Sequence, residues 1–417
     1  MRVAVIGGGW AGIAAAVDLT EAGRAVTLFE AGRVLGGRAR SVSLDGRTVD
    51  NGQHILLGAY RDTLDLMRRV GADPERLFDR RPLQVIDRTG FRLSLPTLPA
   101  PLHVAWGLLS SPTVGWREKL STAWWMEGIK RRGFRLATDM SVADWLDTAG
   151  QTGVLRRHLW EPLCLAALNT PAEHASAQLF ANVLRDSLGS RCRADTDLLL
   201  QRVDFGQLLP EPAGRWLQAR GADLRLGCRM GEIVASADGV SIGNESFAAV
   251  VIATAPQHVA SLWPAARTDY AYEPIATIYL QFPASTTLPF PLFHLLGQHG
   301  QWVVDRGNGL LACALSGHGA WEALSDEALA VALHGELGLA EPLLWHKVIR
   351  EKRATFSARP GLPRPDSRTT HPRVFLAGDY TWADYPATLE GAVRSGRRAA
   401  DLLLRNRQNP ASSSRAA

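Results

Sequence analysis

The fold of this chain is decided near its start, by the stretch Val3-Ala4-Val5-Ile6-Gly7-Gly8-Gly9-Trp10-Ala11-Gly12. The apolar run before the glycines predicts a short buried parallel strand, and the residues after them predict a helix. Gly7, Gly9 and Gly12 fit the pattern GxGxxG, in which the first glycine permits a tight turn. The second lets a pyrophosphate approach the backbone, and the third lets the helix pack closely on the strand. Free N–H groups at the helix start, on Trp10 and Ala11, would then face the phosphates.

An acidic residue lies at the distance that such a loop requires. A second strand, predicted over residues 25–29, is followed by Glu30, eighteen residues past Gly12. In dinucleotide-binding units, an acid about 20 residues beyond the glycines accepts hydrogen bonds from the adenosine ribose. We therefore expect Glu30, with Ala31 beside it, to lie against the adenosine half of a dinucleotide.

A second glycine-rich element follows, Leu35-Gly36-Gly37-Arg38-Ala39-Arg40-Ser41. It resembles the second fingerprint of the flavin amine oxidase and phytoene desaturase superfamily, whose paired glycines and arginine lie along the pyrophosphate of FAD. Glycines keep Cβ atoms away from phosphates, and a guanidinium offers forked donors to their oxygens. The resemblance implies that Gly36, Gly37 and Arg38 bind FAD.

The far end of the chain carries more of this resemblance. Residues 373–379 predict a strand closed by a Gly-Asp pair, and a helix is predicted to begin within residues 385–396 and to run to about residue 404. In the superfamily the Gly-Asp pair hydrogen-bonds the ribityl chain and a phosphate. The helix start points at the pyrimidine edge of the flavin, where a helix N-terminus stabilises negative charge. The resemblance implies FAD contacts here at Gly378, Asp379, Leu389, Gly391 and Ala392.

Further short strands are predicted between the two ends, over residues 222–226, 228–233 and 249–256. In the superfamily the backbone at the position of Met230 contacts adenine. Any buried strand would have the same sequence pattern, so both interpretations of Met230 stay open.

The predicted fold class is α/β, with a Rossmann-like FAD-binding domain of the two-dinucleotide-binding type and an inserted mixed α+β substrate domain. The FAD-binding domain is expected to be discontinuous, over residues 1–56, 198–268 and 366–407. The insertions 57–197 and 269–365 would form the substrate-binding domain, and 408–417 a disordered tail. The first insertion is predicted to be mostly helical. The second is predicted to contain strands, such as 275–282, and a helix near 326–337. An active site is expected between the two domains.

Composition narrows the class of protein further. Hydrophobic residues make up 46% of the 417 residues and charged residues 21%, the balance of a folded globular protein. No run approaches the roughly 18–20 apolar residues that span a bilayer, and no signal peptide is recognised, so a cytoplasmic location is expected. The four cysteines are widely spaced without a CxxC pair, which predicts neither disulfides nor a metal site. The net charge of +5 is carried almost wholly by arginine, and we do not infer nucleic-acid binding from it.

Two segments point to one branch of the superfamily. They are Asp50-Asn51-Gly52-Gln53-His54-Ile55-Leu56-Leu57-Gly58-Ala59-Tyr60 and Pro386-Ala387-Thr388-Leu389-Glu390-Gly391-Ala392-Val393-Arg394-Ser395-Gly396. With these segments the chain resembles the hydroxysqualene dehydroxylases, over nearly all of residues 1–405. The resemblance implies reduction of hydroxysqualene to squalene in squalene and hopanoid biosynthesis, with hydride from reduced FAD reaching an allylic cation. Residues 382–385 depart from the threonine- and glycine-containing turn expected there, which puts the immediate neighbours of the flavin in doubt.

The reaction also needs a group that protonates the departing oxygen. His54 is one candidate, and Asp50, Tyr385 and Asp384 are others. A histidine next to Ile55 and further apolar residues is more often a hydrogen-bonded core residue, so the sequence leaves the acid open.

A long isoprenoid substrate needs an apolar tunnel, and residues 102–126 supply leucines and tryptophans for one. Because Lys130, Arg131 and Arg132 follow these aromatic residues, the segment also fits a tunnel mouth at the inner face of the membrane. Equally, such helices are often core helices with a solvated basic end.

Other functions share the motifs. A carotenoid desaturase or an amine oxidase would have the same fold, although no cysteine follows Cys313 to carry a covalent flavin. A prenyl-lipid carrier would not need intact Gly-Asp and Pro-Ala-Thr-Leu-Glu-Gly-Ala elements at the flavin ring. The sequence does not indicate the external electron donor or the oligomeric state.

Overall fold

The computed structural model describes residues 2–266 and 268–406. Its strands, in chain order, are β1 (Arg2–Ile6), β2 (Ala25–Glu30), β3 (Ser41–Leu44), β4 (Arg47–Asp50), β5 (Leu56–Leu57), β6 (Phe78–Arg81), β7 (Gln84–Ile86), β8 (Arg92–Ser94), β9 (Leu198–Gln201), β10 (Asp223–Leu226), β11 (Ile233–Ala235), β12 (Val240–Ile242), β13 (Glu245–Phe247), β14 (Ala249–Ile252), β15 (Tyr272–Gln281), β16 (Leu292–His294), β17 (Trp302–Asp305), β18 (Leu310–Ser316), β19 (Trp345–Phe356) and β20 (Val374–Leu376).

The α-helices are α1 (Trp10–Glu21), α2 (Arg61–Arg69), α3 (Pro74–Leu77), α4 (Leu102–Ser110), α5 (Trp116–Arg131), α6 (Val142–Thr148), α7 (Glu161–Leu168), α8 (Ala177–Asp186), α9 (Phe205–Leu208), α10 (Pro210–Ala219), α11 (Pro256–Leu262), α12 (Asp326–Leu337) and α13 (Leu389–Arg405). A π-helical turn, Arg156–Trp160, leads into α7, and a 3₁₀ turn, Asp379–Thr381, follows β20.

Five parallel strands form the sheet that carries the glycine-rich loop, in the order β10-β2-β1-β14-β20. The central strand β1 is buried from Val3 onwards, because a parallel sheet is covered on both faces and its strands are therefore apolar throughout. The five strands come from all three segments predicted for the FAD-binding domain. The boundaries of that domain remain a prediction.

The two ends of the chain pack against each other beside this sheet. Helix α13 crosses α1 so closely that a Cβ atom on Gly396 would lie 2.1 Å from the carbonyl oxygen of Ala11. A glycine at this crossing therefore lets the C-terminal helix sit directly on the helix of the glycine-rich loop.

The second large sheet is antiparallel, with the order β16-β17-β18-β15-β19. Its strand β15 begins at Tyr272 and ends at Gln281, and α12 spans Asp326–Leu337, close to the strand and helix predicted for the second insertion. One apolar cluster, which includes Ile278, Cys313 and Leu329, joins this sheet to α12.

Helices α4 to α8 belong to the first insertion, which is mostly helical as predicted. Helix α4 lies against strand β8, where a Cβ atom on Gly107 would come within 2.4 Å of the Leu95 side chain. Strand β8 pairs with β7 as a hairpin, so α4 covers the outer side of that hairpin.

The structure departs from the sequence-based prediction at one short strand. The strand predicted over residues 228–233 is wrong except at its last residue, because the N–H of Cys228 bonds to the carbonyl of Glu30 at 2.9 Å and the chain runs as a loop up to Ile233. The predicted disordered tail, 408–417, lies outside the described residues. Among the residues described, no helix combines the length and apolar character needed to cross a membrane.

Candidate active site

The loop between β1 and α1 is shaped to receive an anion. Gly7 has a φ of +110°, which favours glycine. A Cβ atom on Gly12 would lie 1.8 Å from the Gly7 carbonyl oxygen, so the third glycine lets α1 start directly against the turn. Gly9 caps α1 without a side chain, and the first turn carries no acid. The first N–H groups of a helix have no partner within it, so Trp10 and Ala11 present a positive helix end.

Glu30 lies at the end of β2, beside this loop, as the spacing predicts. Its carboxylate accepts hydrogen bonds from the N–H groups of Gly8 and Gly32, each at 2.6 Å. Glu30 therefore fixes the glycine-rich loop. Both Glu30 and Ala31 also line the cavity.

The second glycine pair lies directly against the first loop. A Cβ atom on Gly37 would come within 3.1 Å of the Cα of Gly9, and the N–H of Gly36 donates to a carbonyl of the first loop at 2.8 Å. Arg38 then reaches the C-terminal segment, where its Nη2 donates to Asp379 Oδ2 at 2.6 Å. The Asp379 carboxylate raises the pKa of the Arg38 guanidinium. Both glycine-rich elements and the Gly-Asp pair thus meet at one place.

The start of α13 faces the same place. Thr388 caps the helix by accepting a hydrogen bond from the N–H of Gly391 at 3.1 Å, while Leu389 and Ala392 border the cavity. Glu390, the acid of the first turn, is turned away into the core, where its carboxylate accepts hydrogen bonds from backbone N–H groups of α2. The positive helix end is therefore left facing the cavity.

Arg364, to which no motif in the sequence points, holds the loop that follows the Gly-Asp pair. Its guanidinium donates to four backbone carbonyls, those of Asp379, Tyr380, Trp382 and Tyr385. Burial lowers the pKa of Arg364. A single arginine before a strand carries no sequence signal for this role, because the four carbonyls become neighbours only when the loop has folded.

These elements enclose a cavity of about 890 Å³, near the upper end of the roughly 300–1,000 Å³ typical of ligand pockets. Of the predicted cofactor-binding residues, those that line it are Gly7, Gly9, Trp10, Ala11, Glu30, Ala31, Gly36, Gly37, Arg38, Met230, Gly378, Asp379, Leu389 and Ala392. Gly12 and Gly391 do not line the cavity. Their lack of a side chain instead permits close packing around the backbone at these two positions.

A second part of the cavity is walled by apolar side chains of the insertions. Its lining includes Leu83, Val85, Leu159, Leu163, Leu292 and Trp302. The expectation that residues 102–126 supply the tunnel walls is wrong, because that segment does not line the cavity. Its inward side chains pack instead against the apolar cluster that includes Val85 and Leu159, and its remaining large apolar side chains face outward.

His54 lines the cavity, with its ring centroid 5.0 Å from that of Phe205. Burial, aided by the charge of Arg38, lowers the pKa of His54 to about 4. At neutral pH the imidazole is therefore uncharged and can donate or accept a hydrogen bond, but it holds no extra proton.

Asp50 does not line the cavity. Its carboxylate accepts hydrogen bonds from the N–H of Phe205 at 2.7 Å and from Gln201, and it pairs with Arg306 at 3.1 Å. Burial raises its pKa, against the charge of Arg306. These contacts tie Asp50 to Phe205, whose ring packs against His54, and leave Asp50 outside the cavity lining.

Tyr385 lines the cavity close to the start of α13, and its hydroxyl donates to the carboxylate of Asp186, which also lines the cavity. Arg185 holds Asp186 with two hydrogen bonds, at 2.6 and 2.9 Å. Burial and the hydrogen bond to Asp186 raise the pKa of Tyr385. Burial opposes ionisation of Asp186, but the hydrogen bonds from Arg185 and Tyr385 outweigh it and lower its pKa.

No motif in the sequence points to Asp186. It ends α8 in the first insertion, far from the motifs, and only the tertiary structure brings it to Tyr385. Asp384 is not a lining residue, and its carbonyl accepts a hydrogen bond from Asn182 at 3.0 Å.

The donors around the cavity fit a flavin dinucleotide. A glycine cradle that Cβ atoms would fill, two helix N-termini and the Arg38 guanidinium surround one part of the cavity, and together they suit a pyrophosphate. The described residues contain no group of histidine, cysteine and acidic side chains arranged to hold a metal ion. Fold and site together define a dinucleotide-binding protein whose cofactor cradle opens onto an apolar pocket.

The comparison with known families identifies the class more closely. The profile of the family described as flavin containing amine oxidoreductase matches residues 10–404, and the chain belongs to that family. FAD is its cofactor, and the protein is an FAD-dependent oxidoreductase.

Within that family, the chain is similar to proteins named hydroxysqualene dehydroxylase. The protein from Rhodopseudomonas palustris is 33% identical over 96% of this chain and 98% of its own length. The one from Sinorhizobium fredii is 29% identical over 97% and 98%. A probable zeta-carotene desaturase from Synechococcus elongatus is also similar, with 27% identity over 97% and 98%.

Solved structures show the same fold. A putrescine oxidase variant superposes with a TM-score of 0.72 at 16% identity and covers 97% of this chain and 99% of its own. A putative protoporphyrinogen oxidase from Exiguobacterium superposes with a TM-score of 0.66 at 18% identity, over 96% and 98%.

Proposed function

We propose that this enzyme removes the hydroxyl group of hydroxysqualene reductively and releases squalene, as a step of squalene and hopanoid biosynthesis. The observation that carries the proposal is the continuity of one cavity, whose flavin-binding loops open directly onto apolar walls. The similarity to three proteins named hydroxysqualene dehydroxylase supports the choice of substrate.

The apolar walls would bind the isoprenoid chain and keep water from the reacting carbon. Side chains such as Leu83, Val85 and Leu163 offer the chain dispersion contacts, and burial of each CH₂ group contributes about 0.8 kcal/mol. When bound and reduced, FAD supplies the hydride that replaces the hydroxyl group. The C–O bond breaks, and the hydroxyl takes up one proton, supplied through the Tyr385 phenol and replaced from solvent, and leaves as water. A C–H bond formed with the hydride replaces the broken C–O bond on the same carbon.

Tyr385 and Asp186 are the polar pair best placed to assist departure of the hydroxyl. The raised pKa of Tyr385 keeps the phenol protonated at neutral pH, so it can turn from Asp186 to hydrogen-bond the departing oxygen. The lowered pKa of Asp186 keeps the carboxylate ionised. A fixed negative charge on the cavity wall stabilises the positive charge that develops on an allylic carbon as the hydroxyl leaves.

His54 would have a different role. With a pKa of about 4 it is neutral, and its N–H can orient a substrate or cofactor oxygen without carrying a full proton to it. Asp50 would act indirectly, by holding the backbone of Phe205, whose ring packs against His54.

The test is a product analysis under anaerobic conditions. The purified holoenzyme, reduced with dithionite and mixed with hydroxysqualene, should form squalene as its flavin is reoxidised, with both measured in one reaction. Asp186→Asn should slow squalene formation while flavin content stays as in the wild type. Absence of squalene, together with formation of a coloured polyene from phytoene by the oxidised enzyme, would assign a carotenoid desaturase instead.

The proposal places the enzyme in the cytoplasm, where a substrate with so little solubility in water would be taken up from a membrane surface. Cell fractionation with the full-length chain tests this location, since the enzyme should divide between the cytosolic and the membrane fractions and leave the membrane at high salt.

A further inference from the structure

Helices α4 and α5 place large apolar side chains on their outer faces. Seven of the twelve large hydrophobic side chains that are exposed among the described residues lie in the segment 98–124. On α4 they are Leu102, Trp106 and Leu109, and on α5 they are Trp116, Leu120 and Trp124. Spacings of three and four residues put each set on one side of its helix. Together with Leu98, we call these residues the α4–α5 face.

The inner side of α5 holds two buried polar residues beside apolar Ile129 and Trp125, which pack into the core. Lys119 is buried, and its amine donates to the carbonyl of Leu109 at 2.6 Å. Thr122 is buried as well and donates to Gln151 at 2.7 Å. By contrast, Trp106 is 56% exposed and Trp124 is 72% exposed. An ordinary amphipathic helix keeps its outer side polar, so the apolar outer side of these helices favours contact with an apolar partner.

Charge around the face favours an anionic partner. Between residues 98 and 124 the sequence has one acidic residue, Glu118, and its carboxylate faces inward to accept the N–H of Leu155 at 2.6 Å. At the end of α5, Lys130, Arg131 and Arg132 are all exposed. Tryptophans and leucines flanked by basic residues are typical of helices that lie in the plane of a membrane surface.

The face is also close to the substrate cavity. Helix α4 covers the β7–β8 hairpin, and Gln84 and Val85 on β7 line the cavity. A surface in contact with the α4–α5 face is thus separated from the cavity wall by helix α4 and one hairpin.

We propose that the α4–α5 face docks the enzyme onto an anionic lipid bilayer, with both helices lying in the plane of the interface. The identity of this partner rests on the proposed function, since an isoprenoid substrate dissolves in the bilayer, whereas the exposure of the face does not depend on it. A second copy of the chain is the less suitable partner. A two-fold contact repeats the same face, and residues 98–124 of the second copy would offer the basic cluster no outward-facing acidic side chain.

The experiment is flotation of the full-length holoenzyme with vesicles of phosphatidylcholine alone or of equal parts phosphatidylcholine and phosphatidylglycerol. The wild type should float with the anionic vesicles, and a Trp106→Ser/Trp124→Ser variant should float at least tenfold less. The matched control is Val331→Ser/Leu344→Ser, which removes side chains that are 68% and 60% exposed elsewhere and should float like the wild type. Retained flavin absorbance shows that each variant is folded.

The basic cluster is tested separately. Lys130→Gln/Arg131→Gln/Arg132→Gln should remove the preference for phosphatidylglycerol. The proposal is overturned if the wild type floats with neither vesicle, or if the control variant loses as much binding as the tryptophan variant. It is also overturned if light scattering shows a dimer that the tryptophan variant dissociates. Because flotation uses no hydroxysqualene, a failure here is distinct from a failure to form squalene.

Discussion

The role of Arg364 gives the sharpest prediction about the flavin site. Its planar guanidinium reaches four carbonyls of the loop 379–385, three of them at 2.7, 3.1 and 3.3 Å. An Arg364→Lys substitution keeps the charge, but a single ammonium group cannot span carbonyls from four residues. We expect it to lose two or three of these hydrogen bonds.

The magnitude follows from the value of each bond. A net contribution of about 1 kcal/mol per hydrogen bond gives a loss of roughly 2–3 kcal/mol. The loop carries Asp379 and Tyr385, which border the cavity, so the loss would appear as weaker FAD binding. At 1.4 kcal/mol per factor of ten, the affinity for FAD should fall by about 30- to 150-fold if the order of the loop is fully coupled to binding.

The assay is titration of the apoprotein with FAD, followed by quenching of flavin fluorescence, for the wild type, Arg364→Lys and Arg368→Lys. Arg368 is an exposed arginine nearby, for which the structure gives no side-chain hydrogen bond within the described residues, and its variant should bind FAD as the wild type does. If Arg364→Lys bound FAD within twofold of the wild type, the four-carbonyl argument would be refuted.

Three further predictions concern the cradle, the histidines and the polar pair. Gly12→Ala, whose Cβ would meet a carbonyl oxygen at 1.8 Å, should yield a colourless protein, whereas Gly335→Ala, with no atom within 4 Å of the new Cβ, should purify yellow. Burial lowers the pKa values of His54 and His294 to about 4, so protonation favours the unfolded chain. The free energy of unfolding should have its full value above pH 6.5. It should decrease as the pH is lowered from 6.5 to 4, by at most about 3 kcal/mol per histidine. Urea unfolding of the apoprotein across this pH range should show a smaller decrease in the free energy of unfolding for His54→Gln and for His294→Asn than for the wild type. A decrease equal to that of the wild type in both variants would contradict the lowered pKa values of these histidines. Tyr385→Phe should lower kcat for squalene formation by about 10²-fold or more with FAD affinity within twofold, and an unchanged kcat would exclude the phenol from the reaction.

Some of the site could be predicted from the sequence because its signals are local. The glycines of the first loop are separated by a few residues, and each is required by backbone geometry that the fold cannot supply in another way, as the 1.8 Å approach at Gly12 illustrates. Helix α12 was predicted with its observed bounds, because its apolar residues and its capping serine lie within one short segment. By contrast, the strand predicted over residues 228–233 failed, since a tertiary hydrogen bond to Glu30 holds that segment as a loop.

The sequence by itself therefore determined the cofactor class and the α/β fold, because turns, caps and glycine contacts depend on residues close together in the chain. Only the tertiary structure decided which side chains share the cavity. Asp186 and Tyr385 are separated by 199 residues, and the outward orientation of Trp106 and Trp124 depends on which faces of α4 and α5 the core covers. Charge, burial and contact between remote residues arise when the chain folds, and neither composition nor spacing encodes them directly.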